Sequence, residues 1–253
     1  MCTVSWLHQR GGYQLFCNRD EKRTRRPASG PKMLMRDGVR VIAPIDGDFG
    51  GTWIAVNEFG ISLALLNRGP ASSIQLSRGM VVMNLIAART VSEVRDRIAS
   101  FELSDFAPFT LAGLEPGSPA TLFNWNGRAL AVVPHADRCM PLVSSSFDPE
   151  GVEQERRAEF SRLQAESRGL RAGVLLAFHR SHEPARGPHS PCMHRQDAET
   201  VSFTWVTVTP SEVNLHYAPG APCGSLAGES QTLTSVRKEA AACPIEVHSL
   251  DAV

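Results

Sequence analysis

The sequence predicts an α+β fold in which antiparallel sheets are covered by helices. Three observations carry that reading. Strand-prone segments come in consecutive pairs joined by short links, helical segments are grouped between those pairs, and few strand-helix-strand alternations occur that would build a parallel sheet.

Taken in order, residues 3–8 and 13–18 are β-branched and aromatic runs linked by Gln9-Arg10-Gly11-Gly12, which reads as a hairpin. The basic run Lys22-Arg23-Thr24-Arg25-Arg26-Pro27 reads as a solvated loop that could also screen an acidic substrate. Residues 51–57 and 61–66 form a second hairpin through Asn57-Glu58-Phe59-Gly60. Residues 79–100 are helical: Met80, Met83, Leu85, Ile86, Val94 and Ile98 make an apolar face, and Ser92 is placed to cap a second helix. Strands are expected at 109–114, 120–125, 128–133 and 140–144, with turns at Glu115-Pro116-Gly117 and Asn126-Gly127. Helical patterns at 149–168 and 171–180 precede a loop of Pro, Gly and His at 182–191, then strands at 200–208 and 212–218. The tail after 219 has no clear periodicity, and no linker divides the chain, so residues 1–253 are expected to form a single domain.

Composition excludes several classes. The 253 residues carry 26 basic and 26 acidic side chains, which argues against a nucleic-acid partner. No signal segment and no stretch of membrane-spanning length is present, so a cytoplasmic chain without stable membrane insertion is expected. Six cysteines, at 2, 17, 139, 192, 223 and 243, include no Cys-x-x-Cys pair; most are expected to be reduced and buried. His179, His182, His189 and His194 with Cys192 are metal-ligand residue types, but their spacings match no zinc pattern. The segment therefore reads as a polar loop, and neither metal nor cofactor is expected. Cys243-Pro244 reads as a cysteine at a loop start.

The chemistry centres on Cys2. Small second residues favour removal of the initiator methionine, which would leave a thiol and an α-amine on one residue. The amine, with a pKa near 7.7 to 8.0, can take the thiol proton at neutral pH. If the first turn centres between Arg10 and Gly11, Cys2 faces Arg19; one centred on Gly11-Gly12 makes Glu21 the partner. Either register sets Asn18-Arg19-Asp20-Glu21 beside the N-terminus. A guanidinium there lowers a thiol pKa, and a carboxylate can hold an amine. Neighbouring residues of a regular strand point to opposite faces, so Arg19 and Asp20 reach Cys2 together only if the strand ends or bulges. Trp53, beside Gly50-Gly51 where a backbone can approach a ligand, is expected at the pocket mouth, with Gly51 and Trp53 contacting substrate.

Met1-Cys2-Thr3, Asn18-Arg19-Asp20-Glu21, Gly51-Thr52-Trp53-Ile54-Ala55-Val56-Asn57 and Gly60 through Leu65-Leu66-Asn67 resemble the NRDE family, also called the transport and Golgi organisation protein 2 family. That family is similar to the N-terminal nucleophile hydrolases that include penicillin V acylase and bile salt hydrolase. The resemblance implies a four-layer αββα sandwich with Cys2 as nucleophile. Asp20, with Arg19 or Asn18, would match the residues that orient the nucleophile, and Asn67 an oxyanion-binding asparagine. A second asparagine of the relatives falls at Val143-Ser144-Ser145-Ser146, so Ser145 would offer a hydroxyl in place of an amide. Their late arginine has no firm counterpart beyond Arg195. The implied activity is amidohydrolase or acyltransferase chemistry on a small-molecule amide or thioester. The alternative is a non-catalytic carrier of acyl-coenzyme A or a haem-like apolar ligand.

Overall fold

The computed structural model describes residues 2–69 and 76–237. Its six-stranded antiparallel sheet runs β10 (Leu142–Ser144), β1 (Cys2–Gln9), β2 (Gly12–Lys22), β11 (Ala198–Val208), β12 (Glu212–Pro219), β13 (Glu229–Thr234). The seven-stranded sheet, also antiparallel, runs β3 (Ser29–Arg36), β4 (Val39–Ile45), β5 (Ile54–Asn57), β6 (Ser62–Asn67), β7 (Phe109–Leu114), β8 (Thr121–Trp125), β9 (Leu130–Val133).

Alternation along the strands sets the layers. Cys2, Val4 and Trp6 of β1 and Leu15 and Cys17 of β2 pack against Ile54, Val56, Ala64 and Leu66 of the other sheet, closing the interior between the sheets. Leu63 and Leu65 point the other way, onto α1 (Gly79–Leu85) and α2 (Val91–Ala99). Phe16 and Phe203 turn outward from the first sheet onto α3 (Pro149–Glu166) and α4 (Ala172–Arg180). Helices, sheet, sheet and helices make the αββα sandwich.

Three strands, β3, β4 and β13, were not expected, and a fourth is shorter than expected. β3 and β13 are sheet edges, where Met33 and Met35 are exposed and β13 buries Leu233. Polar edge strands lack the alternation that marks a half-buried one. In β4, Pro44 lies beyond the pairing with β5, which involves Val41 and Ile42, so the missing N–H breaks no bond to that neighbour. The strand expected at 51–57 begins at Ile54. Thr90 rather than Ser92 caps α2, its Oγ1 accepting from Glu93 N at 3.0 Å. Thr90→Ala is expected to cost about 1 kcal/mol, measured by denaturant unfolding.

The described cysteines 2, 17, 139, 192 and 223 are free thiols, the first two and Cys192 buried. Cys243 and Met1 lie outside the described residues. No described helix is long and apolar enough to cross a membrane. His179 is fully buried on α4 with Nε2 2.8 Å from Ser5 Oγ, and burial, helped by the Arg156 charge, lowers its pKa to about 3. The unfolded chain binds that proton below about 6.5, so stability is expected to fall with pH across this window by up to about 1.4 kcal/mol per unit. His179→Gln should flatten the slope in unfolding curves taken at stepped pH.

Candidate active site

The first hairpin takes the register that sets Cys2 opposite Arg19. Gly11 makes the turn possible: its φ of 76° lies in the region that a side chain disfavours. Cys2 is 5% exposed, and it lines a cavity of about 550 Å³ together with Arg19, Trp53, Asn67, Arg78 and Met80. Gly51 lines it too. A Cβ on Gly51 would come within 2.8 Å of the Gly79 backbone, so the glycine lets the start of α1 close against the 51–53 segment. The backbone nitrogen of Cys2 donates to Ser144 Oγ at 3.0 Å across the β1–β10 pair.

The thiol sits in a field that favours its ionised form. A hydrogen bond from the Cys17 thiol lowers the Cys2 pKa, and the charges of the terminal amine and Arg19 add to it, while burial and the Asp20 charge oppose them. Cys17 is pushed up by the same bond and by burial, so of the two sulfurs Cys2 is the one that ionises. The Arg19 guanidinium lies over the Trp53 ring, 4.3 Å from its centroid, and bonds Asp46. Arg25 grips both oxygens of Asp46 at 2.8 Å, so part of the basic run is anchored in the cavity wall rather than solvated. Arg78 donates to the carbonyls of Pro108 at 3.0 Å and Gly69 at 3.2 Å, and among the described residues no carboxylate lies in salt-bridge range of it. Burial lowers its pKa, with the Cys2 charge pulling the other way.

Four expected residues face elsewhere. Asn18 points to the helix side of the sheet, its Nδ2 donating to His179 O and Pro191 O at 2.9 Å each. Asp20 shares that face: Oδ2 accepts from Arg156 Nη1 at 3.1 Å and Oδ1 from Thr200 Oγ1 at 2.7 Å. The strand does not bring Arg19 and Asp20 to one face; Asp20 acts on Cys2 through its charge, across the strand. Ser145 Oγ donates to Phe147 O at 2.5 Å in the loop, and its neighbour Ser144 takes the place beside Cys2. Arg195 pairs with Asp197 at 2.8 Å and stays off the cavity lining.

Cys17, Arg78, Ser144 and Arg156 were not anticipated. Cys17 was within reach of the sequence, since the register that opposes Cys2 and Arg19 puts residue 17 diagonally across on the same face. Arg78 and Arg156 come from helical segments whose packing is tertiary, and no local signal marks them.

The fold matches solved structures of low identity. An N-acylethanolamine-hydrolyzing acid amidase ortholog from Caenorhabditis elegans superposes with a TM-score of 0.54 at 16% identity, covering 80% of this chain and 91% of that one. A variant of conjugated bile acid hydrolase from Clostridium perfringens gives 0.51 at 10% identity, covering 92% and 97%. Both show that the architecture is that of N-terminal nucleophile hydrolases. No curated protein sequence matches the chain. Residues 1–157, which hold β1, β2, Asn67 and the start of α3, match the family described as Transport and Golgi organisation 2, and the chain belongs to that family.

Proposed function

We propose that the chain, once Met1 is removed, is an N-terminal cysteine amidohydrolase or acyltransferase acting on a non-peptide amide or thioester. The observation that carries this reading is the buried Cys2 sulfur, held toward its thiolate form, on the wall of a cavity that also holds Asn67. In the cycle, the Cys2 α-amine takes the thiol proton and the sulfur attacks the substrate carbonyl. Collapse of the tetrahedral intermediate breaks the C–N or C–S bond, and the amine returns the proton to the leaving group. Water or an acceptor amine, deprotonated by the same α-amine, then releases the acyl group from sulfur. Ser144 Oγ orients the nitrogen that becomes this base.

Asn67 is the proposed oxyanion donor. Asn67→Ala is expected to lower kcat by about 10²–10³-fold, with KM little changed. Arg78, whose partners among the described residues are carbonyls, is placed to attract a negative group on the substrate, while Leu65, Leu76 and Met80 offer apolar surface for an acyl chain. The N-acylethanolamine and the conjugated bile acid in the names of the two structural neighbours support this class of chemistry.

The deciding experiment is intact-protein mass spectrometry after exposure to an acyl thioester or a β-lactam. An acyl adduct on the N-terminal peptide of a chain lacking Met1 supports the enzyme; a mature chain that keeps Met1 excludes it. The mixed apolar and arginine lining of the cavity also suits a carrier of acyl-coenzyme A or a haem-like ligand. A carrier would bind such a ligand stoichiometrically, form no adduct, and keep its affinity in Cys2→Ser.

A further inference from the structure

The loop expected to be merely polar brings three metal-ligating side chains together with a fourth from the β12–β13 connection. His182 Nε2 lies 3.3 Å from His194 Nε2, Cys192 Sγ 3.6 Å and Cys223 Sγ 3.4 Å from that same nitrogen. The four ligand atoms all fall within 4.8 Å of one another. We propose that His182, Cys192, His194 and Cys223 form a closed, structural site for a zinc-type divalent cation.

Geometry supports a metal over a hydrogen-bonded cluster. A tetrahedral ion bound at about 2.0–2.1 Å to nitrogen and about 2.3 Å to sulfur separates its ligands by roughly 3.3–3.6 Å along N···N and N···S edges. The three separations quoted fall on those edges. A hydrogen-bonded account is harder to satisfy, because a single imidazole nitrogen carries one proton or one lone pair and here faces three heavy atoms at once. The other nitrogen of His194 faces Arg186 Nη2 at 3.5 Å, outside the cluster, so Nε2 is the ligating atom. Two thiolates and two neutral imidazoles balance a 2+ ion. The S₂N₂ set favours zinc over the hard cations magnesium and calcium. Four protein ligands leave no open coordination position, the mark of a structural site.

The site is separate from the Cys2 cavity, since none of the four residues lines it. His182 follows α4, Cys192 and His194 end the same loop, and Cys223 lies in the β12–β13 connection. The ion would therefore tie two chain segments together. The tied loop meets three elements: Pro191 O accepts from Asn18 on β2, the strand that carries Arg19, His189 O accepts from Arg156 on α3 at 3.3 Å, and Met193 N donates to Thr200 Oγ1 on β11 at 2.8 Å. The spacing His-x9-Cys-x-His-x28-Cys hides this site in the sequence, because Cys223 arrives from a distant connection. Two histidines of the loop region stay out of it: His179 bonds Ser5, and His189 lies 3.0 Å from Asp148.

The test uses the full chain, purified reduced, without a polyhistidine tag and without chelator, and its metal content is measured by mass spectrometry. About one zinc per chain is expected. Cobalt added to the chelator-stripped chain should give tetrahedral d–d bands and a thiolate charge-transfer band that saturate at one equivalent. Chelator should lower the thermal midpoint, and zinc should restore it. Cys223→Ser and His182→Ala should each lose roughly nine-tenths or more of the bound metal, with Cys139→Ser unchanged. A stripped wild-type chain that takes up neither zinc nor cobalt would overturn the proposal. So would full retention of metal by Cys223→Ser, or a Cys192–Cys223 disulfide in the freshly purified chain. Each readout is independent of acyl transfer, so the site and the proposed activity stand or fall separately.

Discussion

Replacing Arg156 with methionine is expected to destabilise the protein by about 3–5 kcal/mol, because it takes the paired guanidinium away from a buried carboxylate. The side chains of Arg156 and Asp20 are each 1% exposed, and one guanidinium serves several partners. Its Nη1 bonds both Asp20 and Thr3 Oγ1, while Nε reaches His189 O at 3.3 Å and Nη2 reaches Pro188 O at 3.5 Å. Methionine fills much of the space and answers none of these acceptors. Adding Asp20→Asn to Arg156→Met removes the buried negative charge, so the double variant should regain a good part of the loss, a coupling that a mutant cycle in denaturant reads directly. A loss below about 1 kcal/mol for Arg156→Met would mean that water reaches the pair and that it behaves as a surface bridge.

Cys2→Ala should abolish turnover, lowering kcat by roughly 10⁴–10⁶-fold on any substrate the wild type processes, while leaving thermal stability nearly unchanged. The same sulfur offers a sharper test through pH. The thiolate is the reactive form, so alkylation of the N-terminal peptide should reach half its limiting rate at a pH below the ordinary thiol value near 8.5. Because the Cys17 hydrogen bond contributes most to that lowering, Cys17→Ala should move the midpoint upward. An unmoved midpoint would assign the lowering to the charges of the terminal amine and Arg19. Retention of wild-type activity by Cys2→Ala would leave only the carrier reading.

Much of this architecture is legible from the chain, for identifiable reasons. A glycine-bearing link between two β-prone runs allows few registers, and one of the two it offers is the register observed for Cys2 and Arg19. β7 runs from Phe109 to Leu114 as its apolar run suggests, because both of its faces are buried and its ends are marked by turns. Edge strands such as β3 and β13 escape notice because solvent, rather than a second layer, covers one side of them. The site divides the same way. Residues on the first hairpin and at the end of β6 are readable, whereas Arg78 and Arg156 depend on where helices settle. Asn18 and Asp20 lie on the strand beside Cys2, yet strand alternation turns both of them to the helix side.

The turn at Arg10-Gly11 acts as a counting device. Adding or deleting a single residue there would exchange the sidedness of everything downstream in β2, swinging Asp20 into the cavity and burying Arg19 among the helices. The outer loops of this chain could lengthen without that effect, whereas the count of residues between sulfur and guanidinium decides which of the two faces the cavity.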